Sequence, residues 1–592
     1  MSTILVGLSA FLVLVINDVG GLAWQRLQIL FILGGLASWR WGWWFLQCSR
    51  AVCYRYFVYP PLRRAAEAAV RAHGPVPEIT VLATTYHEKP WITWAVFEAV
   101  FRELSTLEGL SRRPKVVVVG GCDEDDTTVR QIYDASCAEL MPASPTMWPP
   151  ELVLLRGDQG KRRALADGLR EIARGNPGRD GVVVLMDGDS IPSHGMLPKV
   201  LPLFRLPQTV GAVTTNEDGY VDGPAWFAEW ISMRFGQRHR MMCSVSLSGK
   251  LLCLTGRLSV FRASVATDED FRAQIENDAI DHWLWGRFDM LSGDDKSTWY
   301  WLAARGYRML YVPDALVTTI EVVSGSALQR AYANLKRWSG NTLRNSARVI
   351  ALGPRRLGLF AWWCTIDQRL GSWSALVGPT VMLMALCTGW YDIAAGYLLW
   401  ALVSRLGLAA IAWRHGRRFS AYYIPLQMVA EWANALIKIW VSFHPAKQSW
   451  LNRGGRTLDA ARGSAFRGRQ TFANYLCFFS LGAFGLAVGC YCGLLPLYRE
   501  APLYLRIGLP SVDQAVLDPG ELLRWISART VLPDALREAP LHARSSWGGG
   551  GPVGTEAGRY AGLLGYRPVL VPRVMSSPTG PSPPPSGFRR AR

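Results

Sequence analysis

The sequence predicts an α/β domain set between membrane-spanning helices, and three observations lead there. The stretch Gly181-Val-Val-Val-Leu-Met-Asp187-Gly-Asp189-Ser190 opens with five consecutive apolar residues, three of them valines. Such a run reads as a fully buried strand, of the kind found in sheets covered on both faces. Across residues 77–353 strands alternate with helical stretches, the pattern of a parallel sheet in an α/β domain. Long apolar runs bracket that stretch. Half of the 592 residues are hydrophobic, 26 are tryptophan and the net charge is +18, which is too apolar and too basic for an ordinary soluble enzyme.

In chain order, residues 4–16 form a short apolar run and residues 27–47 a clearer one, so residues 1–49 read as a transmembrane hairpin. No small-residue cleavage site follows the first run, so an anchor is expected and not a removed signal peptide. Arg50, Arg55, Arg63 and Arg64 follow closely and place the next domain in the cytoplasm. Arg40 within the second span is either a functional group or a side chain that snorkels to the interface.

Residues 60–353 form the expected cytoplasmic domain. A strand over 79–84 leads to Thr85-Tyr86-His87-Glu88, and a second over 116–119 leads to Gly120-Gly121-Cys122-Asp123. Polar strand ends that recur at one sheet edge gather into one pocket. Gly157-Asp158-Gln159-Gly160-Lys161-Arg162-Arg163 enters an alanine-rich helix; a glycine turn with cations suits a phosphate, although the full phosphate-loop pattern is absent. Asp187 and Asp189 end the central strand, where hard oxygen ligands suit Mg²⁺ or Mn²⁺ bridging a diphosphate. A plain Asp-Gly-Asp turn is the simpler alternative. Gly293-Asp294-Asp295-Lys296 supplies a second carboxylate pair, which a helix start with dipole-favoured acids would also explain.

Residues 354–371 are basic and aromatic, as in an interfacial helix, and 372–413 read as two spans joined by a short turn. The run 421–443 is long enough to cross but carries Glu431, Asn434 and Lys438. The loop after it holds Lys447, Arg453, Arg456, Arg467 and Arg469, so the run is expected at the interface, within a segment 421–471. Residues 472–498 make the last of five spans. The Gly- and Pro-rich tail 499–592 is expected to be disordered. Eleven scattered cysteines without a CxxC pair indicate neither zinc site nor disulfide framework. The basic residues flank apolar runs and no nucleic-acid-binding motif occurs, so nucleic acid is not an expected partner.

This order of parts resembles the processive membrane glycosyltransferases of family 2, the group of cellulose, chitin and hyaluronan synthases, over residues 60–453. Within that group Thr214-Thr-Asn-Glu217, Phe235-Gly-Gln-Arg-His239, the run from Leu254 to Ser264, Gly293-Asp-Asp-Lys-Ser297, Asp367-Gln-Arg369 and Gln448-Ser-Trp450 look like the mannuronan synthases of alginate polymerisation. The resemblance implies a Rossmann-like GT-A domain inserted in a helical transmembrane domain. It implies that Asp187 and Asp189 are the metal and diphosphate motif, with Asp189 the direct ligand, and that Asp295, beside Asp294, is the general base on the acceptor hydroxyl. Arg337-Trp338 match the end of the family's QxxRW motif, whose first position is Asn334 here, and Arg344 could add a second cation.

By the same resemblance Thr85, Tyr86, Glu88, Asp123, Lys161 and Asp187 bind the donor nucleotide, and Thr255-Gly256-Arg257 with Trp450 meet the acceptor. Trp450-Leu-Asn-Arg453 resembles the gating loop. Relatives imply mannuronate transfer from GDP-mannuronate, with extrusion of the polysaccharide across a bacterial inner membrane. They also imply a PilZ partner that binds cyclic di-GMP, and envelope export proteins. A synthase using a UDP-sugar, or a non-catalytic exporter, are the alternatives.

Overall fold

The structure is a computed structural model and describes residues 22–140, 149–157, 159–206, 210–289, 292–414, 422–447, 464–492 and 494. The apolar run 4–16, Asp158, the loop residues Trp450 and Arg453 and the tail 499–592 lie outside the described residues.

Ten strands are described: β1 (Ile79–Thr85), β2 (Lys115–Gly120), β3 (Glu151–Arg156), β4 (Val182–Asp187), β5 (Ser190–Pro192), β6 (Val210–Asp222), β7 (Leu258–Arg262), β8 (Ala279–His282), β9 (Gly286–Asp289) and β10 (Arg308–Val322). Eight make one sheet in the order β3-β2-β1-β4-β7-β6-β10-β5, and β8 with β9 form a separate hairpin. The first four strands are parallel, as the alternating pattern predicts. Beyond β4 the sheet becomes mixed: β7 runs antiparallel to both β4 and β6, and β10 runs parallel to β6. The residues of β7 are buried throughout, so its apolar run fixes burial but not direction.

Burial explains why these segments are strands. Val116 to Val119 and Val182 to Met186 are buried along their length, and each such side chain contributes roughly 1.5–3 kcal/mol on leaving water. The helix Lys161–Arg174 covers this sheet with Leu165, Leu169 and Ile172. Gly168 lets it approach closely, since a Cβ there would lie 2.4 Å from a Leu82 methyl. Strand order reverses between β1 and β4, and the crevice outside that switch point is where open α/β sheets bind ligands. Asp187 ends β4 there.

Among the described residues, three helices are long and apolar enough to cross a membrane: Leu359–Cys387, Tyr391–Ala409 and Phe466–Tyr491. The helix Leu359–Cys387 runs unbroken through the expected junction at 371/372 between interfacial stretch and span. The run expected at the interface is the helix Tyr423–Phe443, packed on the helices Ala327–Ala351 and Leu359–Cys387. The Arg40 guanidinium donates to Asp367 Oδ1 at 2.6 Å and to Ser374 Oγ, tying the helix Leu22–Cys53 to Leu359–Cys387.

Candidate active site

Two helix starts converge on the end of β4. Lys161 opens the helix Lys161–Arg174 behind Gly160, whose φ of +98° suits glycine, and Asp294 and Asp295 open the helix Asp294–Ala304 behind Gly293 at φ +96°. A helix dipole favours the two acids at their helix start and disfavours the lysine at its own. The lysine is held by carboxylates instead: Lys161 Nζ lies 2.6 Å from Asp187 Oδ1 and 3.0 Å from Asp294 Oδ2. Burial acts to lower the ammonium's pKa, and the Asp187 and Asp294 charges together outweigh it and raise it. One cation thus joins the Asp-Gly-Asp motif to the Gly-Asp-Asp motif.

Around this triad a pocket is lined by Asp295, Thr255, Gly256, Ser259 and Thr298. Gly256 closes over it; a Cβ there would sit 3.2 Å from Lys161 Nζ and 3.6 Å from carboxylate oxygens of both Asp187 and Asp294. Thr255 and Arg257 are fixed from behind: Ser259 Oγ donates to the Thr255 carbonyl at 2.8 Å, and the Asp187 N–H donates to the Arg257 carbonyl at 3.2 Å.

The carboxylates differ in electrostatic state. Burial and the neighbouring Asp187 charge push Asp189 up to about 6, against the lowering pull of Arg257. Burial also raises Asp295, which Lys296 only partly offsets. Asp294 is lowered, because Lys161 and Arg162 outweigh its burial. Asp295 is therefore the carboxylate better suited to accept a proton, and Asp294 stays ionised as the partner of Lys161.

The helix Ala327–Ala351 carries Arg337 and Trp338. Burial lowers the Arg337 guanidinium, and Glu321, near the end of β10, is the first charge to oppose that. Arg337 also donates to Asn334 Oδ1 at 3.3 Å, and Asn334 donates to Glu321 at 3.4 Å, so the asparagine links cation and acid. Trp338 does not line the triad pocket and stacks on Trp230, with centroids 5.8 Å apart and planes at 17°. Arg344 is not a second free cation: it is buried, donating to Ser292 Oγ at 3.0 Å and to Asn341.

The residues after β1 and β2 form a separate flank. Thr85 is buried and Tyr86 packs its ring over Gly121, while Glu88 is half-buried in the loop after β1. Asp123 opens the helix Asp123–Glu139, exposed and paired with Arg156. None of these lines the triad pocket.

Residue types alone did not reveal the scaffold that aligns the helix starts. Asp278 is buried and receives both Nη groups of Arg348, at 2.7 and 2.6 Å, and the Ser297 hydroxyl; Arg162 donates to that hydroxyl at 2.6 Å. Four segments are joined, and they include the helices that carry Lys161, Asp295 and Arg337. Glu217 is buried between Arg238 and Arg257, at 3.4 and 3.3 Å. An acid inside a strand of mostly buried residues was the available signal for Glu217 and Glu321.

A mixed sheet with a crevice at its switch point and clustered acids fits the GT-A kind of glycosyltransferase domain. Residues 77–341 match the family described as glycosyltransferase like family 2. The chain is 35% identical over 460 residues to the glycosyltransferase alg8 of Pseudomonas syringae pv. tomato, covering 76% of this chain and 88% of that one. It is 34% identical to glycosyltransferase alg8 of Azotobacter vinelandii, covering 72% of this chain and 84% of that one. The chain belongs to the family 2 glycosyltransferases. Among solved structures, a mannosyltransferase of Pyrobaculum calidifontis bound to GDP-mannose and Mn²⁺ aligns at 20% identity, with a TM-score of 0.37, over 67% of this chain and 99% of that one.

Proposed function

We propose that this enzyme is a processive, inverting transferase that adds mannuronate from GDP-mannuronate to a growing polymannuronate and passes the chain through its own membrane helices. One observation supports the reading: Lys161 binds Asp187 and Asp294 at once, which joins the Asp-Gly-Asp and Gly-Asp-Asp motifs read as donor motif and base motif. The similarity to two alg8 glycosyltransferases supports the choice of polymer.

An inverting transfer is a single displacement. Asp295 takes the proton from the acceptor hydroxyl as that oxygen attacks the anomeric carbon, and the nucleotide diphosphate departs with the bonding electrons. Lys161, the helix start behind it, and Arg337 would balance the negative charge on the leaving group. Among the described residues no three His, Cys, Asp or Glu side chains gather as a ligand cluster. Two carboxylates with phosphate and water oxygens nevertheless fit Mg²⁺ or Mn²⁺, and the raised Asp189 carboxyl marks a place where added positive charge is favoured. Asp187 and Asp189 would hold the ion, which supplies electrostatic stabilisation of the diphosphate.

The enzyme sits in the bacterial inner membrane with its catalytic domain in the cytoplasm. Its partners are a PilZ protein that binds cyclic di-GMP and export proteins of the envelope. Membranes containing the protein, supplied with GDP-mannuronate and Mg²⁺ or Mn²⁺, should yield a polymer cleaved by a mannuronate-specific lyase. Polymer formed only from a UDP-sugar would replace this reading with the synthase of another polysaccharide, and no polymer from any donor would favour a non-catalytic exporter. Orientation has its own test. A cysteine placed at Gly454, with native thiols removed, should resist an impermeant thiol reagent in intact cells and react once the membrane is opened, because the arginine-rich loop stays inside.

A further inference from the structure

Cations gather at two places beside the membrane helices. Arg234 and Arg240 line a cavity of about 300 Å³ among the helices Leu22–Cys53, Ala225–Ser246, Tyr391–Arg414 and Tyr423–Phe443. A second group, Arg50, Lys250, Arg308 and Arg356, lies outside that cavity and is drawn from four segments: the end of the helix Leu22–Cys53, the turn after Ala225–Ser246, the start of β10 and the short helix Gly353–Leu357. The turn is the meeting point. Arg50 donates to Ser248 Oγ at 2.7 Å, and Arg308 Nε lies 3.3 Å from where a Cβ on Gly249 would stand. Lys250 Nζ donates to the carbonyls of Gly306 and Tyr307, each at 3.1 Å, and Arg356 donates to the Ala304 carbonyl at 3.5 Å.

None of these four cations pairs with a carboxylate among the described residues, whereas Arg305, close by in the chain, is held by Asp270 at 3.0 Å. They also burden one another. Burial lowers the Lys250 ammonium, and the charges of Arg308 and Arg356 lower it further with no acid opposing them. Gathered like charges are unfavourable until an anion comes between them. The charge bias that sets membrane orientation accounts for Arg50 and Arg356, which flank apolar helices, but not for Lys250 and Arg308, which the α/β domain supplies.

The position of the group says which anion. Arg356 comes just before Leu359, the first residue of a helix long and apolar enough to cross a membrane, and Arg50 comes just after the apolar run 27–47. Leu359 is 71% exposed, and the Arg50 guanidinium lies over the Phe360 ring at 3.6 Å, so apolar surface adjoins the cations directly. Guanidinium and ammonium groups donate charge-assisted hydrogen bonds to phosphate oxygens, and basic pockets beside membrane helices take lipid head groups. We propose that Arg50, Lys250, Arg308 and Arg356, with the Ser248 hydroxyl, bind the phosphate of one anionic phospholipid whose acyl chains lie along Leu359 and Phe360. A free phosphate would leave that apolar surface uncovered. Lys250 and Arg356 hold carbonyls at the far end of the helix Asp294–Ala304, so the headgroup bears on the helix whose first turn carries Asp295.

Lipid binding can be measured without synthesis. In native mass spectrometry the purified full-length protein, released from detergent micelles, should retain dioleoylphosphatidylglycerol in preference to dioleoylphosphatidylcholine. Lys250→Gln, Arg308→Gln and Arg356→Gln should each weaken phosphatidylglycerol binding roughly fivefold, the share of one cation at an anionic surface. Arg308→Lys, which keeps the charge, should retain most of the affinity and separates loss of the site from loss of the fold. Arg64→Gln removes an exposed cation that follows the same apolar run but lies outside the group, and should bind at the parent level. Phosphatidylglycerol should also raise the unfolding temperature of the parent and not that of the Arg308→Gln, Arg356→Gln double variant. Equal retention of the two lipids, parent-level binding by the double variant, or an equal loss in Arg64→Gln would overturn the proposal. So would displacement of the lipid by inorganic phosphate at matched concentration, which would assign the site to a free anion, or by a hexaglutamate peptide, which would assign it to an acidic protein segment.

Discussion

The two cavities of this molecule are both built around charge, but they treat it in opposite ways. At the sheet edge Lys161 is held by two carboxylates, Arg257 by Glu217, and Arg337 is offset by Glu321. Between the helices, Arg234 and Arg240 face open space without such a partner among the described residues, and Gln427 keeps an unpaired oxygen. Internal pairing fixes geometry before a substrate arrives, which is what a displacement at one carbon demands. Unpaired cations fix nothing until a ligand comes.

Substitutions at the sheet edge should therefore change transfer. After Asp295→Asn, taken up last, the largest effect belongs to Asp189→Ala. It should cost on the order of a hundred- to a thousandfold in transfer rate, the size of removing one electrostatic stabiliser, and remove the dependence on added divalent ion. Donor titration with and without Mn²⁺ checks this; unchanged metal-dependent affinity would separate Asp189 from the diphosphate.

Lys161→Met should act next. It leaves Asp187 and Asp294 facing each other uncompensated, at a cost of about 3 kcal/mol, the low end for breaking a buried pair because Asp187 keeps 27% exposure. Thermal unfolding of the purified protein should show the loss, and Mg²⁺ or Mn²⁺ should restore part of it by replacing the missing charge. Restoration by monovalent salt alone would mean that simple screening explains the effect.

Two glycines give the smallest and most discriminating test. Gly293→Ala meets Asn341 at 2.8 Å and must adopt a φ of +96°, so it should cost roughly 1–3 kcal/mol and displace the Asp294-Asp295 turn. Gly256→Ala meets side-chain ends alone, Lys161 Nζ at 3.2 Å and oxygens of Asp187 and Asp294 at 3.6 Å, and its stability effect should stay within about 1 kcal/mol. If the order of the two were reversed in denaturant titrations, the tight packing assigned to the Gly-Asp-Asp turn would be wrong.

How far these features could be read in advance depended on how local they were. The central strand was legible because five apolar residues in succession need only a covered sheet, and Asp187 then falls at its end whatever the neighbours do. The direction of β7 was not legible, since Leu258 to Phe261 are buried the same way in either direction. Lys161 was visible as a cation after a glycine turn, but its contact with Asp294 crosses 133 positions and exists only once two helices converge. The Asp278, Arg348, Ser297 and Arg162 network is of the same kind: each residue is unremarkable alone, and only the fold makes them one clamp. Asn334 departs from the expected glutamine, and its bridge between Glu321 and Arg337 depends on where β10 ends. The Arg234 cavity was the least legible, because it is assembled from helices that lie far apart in sequence.

That the pocket joined by Lys161 is the transfer site, and Asp295 its base, is best tested by measuring both donor affinity and chain elongation for Asp295→Asn in one preparation. Donor affinity should stay within about twofold of the parent, and elongation should fall by roughly a hundred- to ten-thousandfold, the contribution of a positioned general base. Elongation at the parent rate, at matched protein level, would contradict both assignments.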